Sequence, residues 1–106
     1  MKARYLIVLT AALSFSSAAF AADDGEALFK KNNCTTCHNV DKKVVGPALK
    51  DVAAKYRGNG EAQATLEKKV RSGGSGNWGS MPMPPAPKSV SDADLKTIIQ
   101  WVLSLK

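Results

Sequence analysis

This chain of 106 residues has no cysteine outside one C-x-x-C pair, and it has a single histidine. It also has no block of basic residues and no sustained alternation of apolar and polar residues. Each absence excludes something. Cys34 and Cys37 bonded to each other close a tiny loop, which staples nothing distant. A zinc site on the two thiols needs two more ligands; His38 is the one imidazole and no further cysteine exists. A thioredoxin-like use of the pair needs a βαβ setting, and no strand pattern provides one. Without a basic run or aromatic-basic repeats, nucleic-acid binding is not expected.

The first 22 residues read as an export signal. Lys2 and Arg4 form a basic start, "YLIVLTAALSF" an apolar run, and "SSAAFAA" a small-residue region with an A-x-A site before Ala22. Cutting before Asp23 fits as well. The apolar run lacks the charged stop of a membrane anchor, so no stable insertion of the mature chain is expected. The expected mature domain, residues 23–106, keeps 13 Lys/Arg against 9 Asp/Glu, a formal charge of +4. Its lysines are scattered, as on a solvated surface, and a mildly positive rim also steers acidic partners. A domain this small has a limited core, and such exported domains gain support from disulfides, a metal or a cofactor.

Helical periodicity runs through most of the rest. Asp24 is placed to cap a first helix through "GEALFKKNN", with Leu28 and Phe29 inward. Leu49, Val52, Ala53 and Tyr56 form one stripe, and Ala62, Leu66 and Val70 another that stops before Gly73. Ser91 opens "SDAD", a cap with Asp94 at its third helical position. A last helix follows with Leu95, Ile98, Ile99, Val102 and Leu105 toward a core. The class is all-α. The exception is the segment 73–90, whose glycines and prolines forbid regular helix. Loops of this length inside a small domain are functional or disordered, and this one carries Trp78, Met81 and Met83.

"CTTCH", residues 34–38, explains what such a loop is for. Two thiols at this spacing each add to one vinyl group of a haem, and the following histidine then lies under the iron. The mature chain offers no second His or free Cys for the opposite face, so a methionine sulfur is the natural donor. Met81 and Met83 both qualify. In an extended Met-Pro-Met segment they point roughly the same way.

The segments "LFKKNNCTTCH", "VVGPALKDVAAKY", "SGNWGSMPMPP" and "WVLSLK" resemble, in order and spacing, the small bacterial class I cytochromes c of the c-551/c-552 group. The resemblance spans the mature chain. It implies four to five short helices around one haem c, held by two thioether bonds to Cys34 and Cys37. It implies His38 and Met83, the methionine before Pro84-Pro85, as axial iron ligands. Pro47 is implied beside His38, its carbonyl accepting the Nδ1 proton. Trp78 and Lys69 fall at positions near a haem propionate, and Phe29 and Trp101 at the contact of first and last helices. The group often has Asn after the proline pair; Ala86-Pro87-Lys88 stands here, in a longer loop. The implied function is a monomeric periplasmic one-electron carrier cycling Fe(II)/Fe(III), not an enzyme. Its expected partners are redox proteins such as nitrite reductase, a terminal oxidase, cytochrome c peroxidase or a quinol-oxidising complex.

Overall fold

The computed structural model describes residues 11, 12 and 20–106. The expected export segment, residues 1–22, otherwise lies outside the described residues. Among the described residues four α-helices form: α1 (Phe20–Lys31), α2 (Leu49–Lys55), α3 (Ala62–Ser72) and α4 (Asp92–Ser104), with a 3₁₀ turn at Cys34–Thr36. Among the described residues no strand occurs, only an isolated antiparallel bridge between Gly74 and Met83.

Helix α4 starts where its cap places it. The Ser91 hydroxyl accepts from Asp94 N at 3.1 Å, and Asp92 and Asp94 sit in the positive first turn. Its apolar stripe buries Leu95, Ile98, Ile99, Trp101 and Val102, and α1, α2 and α3 all pack on it. The expected stripes hold elsewhere: Leu49, Val52 and Ala53 are buried on α2, and Ala62 and Leu66 on α3.

Helix α1 differs from the expectation. It begins at Phe20, so Asp24 lies inside it rather than capping it. Ala21 and Ala22 are strong helix formers with no breaker before Asp24, so the helix continues upstream. Its crossing with α4 is close. A Cβ on Gly25 would collide with Trp101 Cβ, and the Phe29 and Trp101 ring centroids stand 5.3 Å apart, tilted by 53°. This contact ties the two ends of the domain together. Among the described helices none is long and apolar enough to cross a membrane.

Candidate functional site

After α1 the chain must turn sharply to present the thiols. Asn33 supplies the turn with a left-handed backbone, φ 61°, which asparagine tolerates better than most residues. Cys37 N and His38 N then both donate to Cys34 O, at 3.3 and 3.0 Å. Both cysteines of this compact turn line one cavity, and each thiol is partly buried and unbridged. Burial pushes the Cys34 thiol above its ordinary pKa, and its sulfur donates weakly to Asn32 O at 3.9 Å.

The loop that follows is pinned at both ends. Leu49 N donates to Asn39 O and Lys50 N to Val40 O, while Gly46 N donates to Cys37 O at 2.7 Å. These bonds fold Pro47 back over His38. His38 Nδ1 lies 2.9 Å from Pro47 O. A carbonyl only accepts, so Nδ1 is the donor here, and in the neutral ring the lone pair is then on Nε2. Nε2 has no hydrogen bond among the described residues. Gly46 makes this approach feasible: a Cβ there would lie 2.5 Å from His38 Cε1 and within 3.0 Å of both ring nitrogens.

Seven residues expected at the site, Cys34, Cys37, His38, Pro47, Lys69, Trp78 and Met83, line one cavity of about 260 Å³. Its floor is the apolar core, including Leu49, Leu66 and Ile99. A second cavity of about 350 Å³ shares Cys37, His38 and Met83 and opens toward Val45 and Met81. The two methionines are therefore not equivalent. Met81 is 65% exposed and lines the outer cavity alone. Met83 is half-buried, lines both, and is fixed through its backbone. Met83 N donates to Gly74 O at 2.8 Å and Gly74 N to Met83 O at 3.0 Å.

Helix α3 ends so as to receive that strand-like segment. Gly73 terminates it at φ 69°, and a Cβ there would lie 2.6 Å from Met83 O. Only glycine satisfies both the backbone and the contact. Trp78 is 39% exposed, with Lys55 Nζ 4.5 Å from its ring centroid; the same ammonium donates to Asn77 O at 3.3 Å. The indole nitrogen donates to nothing among the described residues. Lys69 Nζ donates to Tyr56 OH at 3.3 Å, which makes Tyr56 more than a packing residue. Sequence reasoning assigned no role at the site to Lys55 or Gly46. Both lie in the segment "VVGPALKDVAAKY", but their contacts, with Trp78 and with His38, are made through space and leave no local pattern.

The donor set fits a haem with its iron. Two unbridged thiols face a cavity that an imidazole with a free nitrogen lines together with a soft sulfur, above an apolar floor. Among the described residues no cluster of three His, Cys, Asp or Glu offers another metal site.

Comparison with known proteins gives the same picture. The model of the cytochrome c family matches residues 22–106. Cytochrome c-551 of Azotobacter vinelandii is 51% identical over 84 residues, 79% of this chain and the whole of that protein. Cytochrome c-552 of Nitrosomonas europaea is 51% identical over 96 residues, covering 91% of each chain. The crystal structure of wild-type Nitrosomonas europaea cytochrome c552 superposes with a TM-score of 0.73 at 54% identity, over 76% of this chain and 99% of that one.

Proposed function

This chain belongs to the cytochrome c family, and on that premise we propose a periplasmic one-electron carrier with a single covalent haem. A haem-based electron carrier is what the family and its c-551 and c-552 relatives support. In the finer reading, Cys34 and Cys37 form the two thioether bonds. His38 Nε2 and the Met83 sulfur would hold the haem iron as axial ligands. When bound, the haem supplies an iron that takes up and gives back one electron.

The chain's own residues do the rest. The Pro47 carbonyl holds the His38 tautomer and makes its free nitrogen a better donor. The Met83 thioether favours the ferrous state and raises the potential. The apolar floor keeps water from one side of the site. Held by His38 and Met83, the iron would have no open position for a substrate, and electrons would pass between protein surfaces. Val45 and Met81 are exposed at the outer cavity, and exposed Lys42, Lys43 and Val44 directly precede Val45 in the chain. This apolar spot suits brief contact with a redox partner, and the lysines suit salt-sensitive steering. Nitrite reductase, a terminal oxidase, cytochrome c peroxidase and a quinol-oxidising complex are the partner classes proposed. Export through residues 1–22 and a monomeric mature domain, 23–106, belong to the same reading.

The observation that carries it is the shared cavity, with His38 tied at Nδ1 and Met83 tied through its backbone. The test is a pair of variants. Met83→Ala is expected to abolish the ferric absorption band of sulfur–iron bonding, and Met81→Ala to keep it. The reverse result would mean that the other sulfur is the ligand.

A further inference from the structure

We propose that Arg71 latches the arm carrying Met83, acting as a positioning residue for the axial sulfur. The inference rests on the reading of Met83 as a ligand. The arm is short of donors. Positions 82, 84, 85 and 87 are proline, so between 82 and 87 only Met83 and Ala86 have a backbone N–H. Both are spent on α3 and the glycines that follow it: Ala86 N on Val70 O at 2.9 Å and Met83 N on Gly74 O at 2.8 Å. Past Ala86 the chain returns to α4, and there Val90 N makes only a local bond, to Pro87 O at 3.0 Å.

One guanidinium joins that return path to α3. Arg71 Nη1 donates to Pro87 O at 3.1 Å, and Nη2 donates to Val90 O at 2.8 Å. Nη2 also meets Asp92 Oδ1 at 2.9 Å. The three acceptors are the end of the arm, a buried core residue and the first residue of α4. The Arg71 side chain is 29% exposed, whereas that of Asp92 is 98% exposed. Water screens the ion pair, so the two carbonyl bonds matter more. Their spacing suits a planar fork; a lysine ammonium is a point charge and reaches one at a time. Arg71 stands next to Val70 and just before Gly73 and Gly74, so the end of α3 grips the arm on both sides of the proline pair.

The test uses the ferric holoprotein with cyanide as probe, because cyanide reaches iron only when the axial sulfur leaves. Arg71→Ala is expected to bind cyanide on the order of tenfold faster than wild type. Arg71→Lys should fall between them, and it serves as the measurement if the alanine variant does not fold. Asp92→Asn should stay within about twofold of wild type. Gln63→Ala is the control for general loosening, because Gln63 Nε2 joins α3 to Lys96 O of α4 away from the arm. Its rate should also stay within about twofold. Amide exchange at Ala86 should quicken in Arg71→Ala and not in Gln63→Ala. An Arg71→Ala rate within about twofold of wild type, or an equal acceleration in Gln63→Ala, overturns the latch alone. A wild-type protein without the sulfur–iron band overturns the ligand reading and the latch with it.

Discussion

Gly46→Ala tests the histidine side of the site by putting one methyl group in place of a hydrogen. A Cβ at Gly46 would lie 2.5 Å from His38 Cε1, 2.9 Å from Nδ1 and 3.0 Å from Nε2. Ordinary carbon contacts are about 3.5–4.0 Å, so the ring or the loop must move by about an ångström. The ring is not free to swing, because Nδ1 is bonded to Pro47 O and Nε2 is the proposed iron ligand. The loop is not free either, because Gly46 N is bonded to Cys37 O at 2.7 Å. Overpacking of this kind costs about 1–3 kcal/mol. For a domain of this size that corresponds to a melting point lower by about 5–20 °C. Gly60→Ala is the control, since a Cβ there meets nothing within 4 Å; it should leave the melting point nearly unchanged. Thermal unfolding of the two holoproteins, followed by circular dichroism and by haem absorbance, makes the comparison. A Gly46→Ala protein that melts within about 2 °C of wild type with an unchanged spectrum would refute the steric reasoning.

Ser91→Ala removes the hydroxyl that accepts from Asp94 N. It should cost about 1 kcal/mol, read as a melting point lower by about 4–8 °C. Phe29→Ala empties a buried position against Trp101. It should cost about 3–5 kcal/mol in a guanidinium titration, and a loss below about 1 kcal/mol would mean that the α1–α4 contact is not central.

Much of the fold is legible because helices repeat at a fixed period. The stripes of α2, α3 and α4 are local patterns, and the Ser91 cap is a four-residue signal whose hydroxyl bond to Asp94 N the structure contains. The thiols and His38 are equally local, since one short peptide holds all three. What depends on pairs distant in sequence is not legible in this way. Gly46 looks like any turn glycine until the loop folds its backbone onto His38. Arg71 looks like any surface cation until the arm returns beside it. Residue spacing leaves Met81 and Met83 pointing the same way; exposure and the Gly74 pairing separate them in space. Asp24 illustrates a different failure. A good capping residue does not begin a helix when the residues before it also favour helix.

Visible absorption of the purified wild-type protein, oxidised and then reduced, tests the central claim most directly. It reports covalent haem and axial ligation in one sample. The expected result is a c-type spectrum in the reduced state, the weak sulfur–iron band in the oxidised state at neutral pH, and no rapid change on adding carbon monoxide. Absence of that band with fast carbon monoxide binding would contradict a carrier closed on both faces. A colourless protein with two titratable thiols would contradict the haem itself.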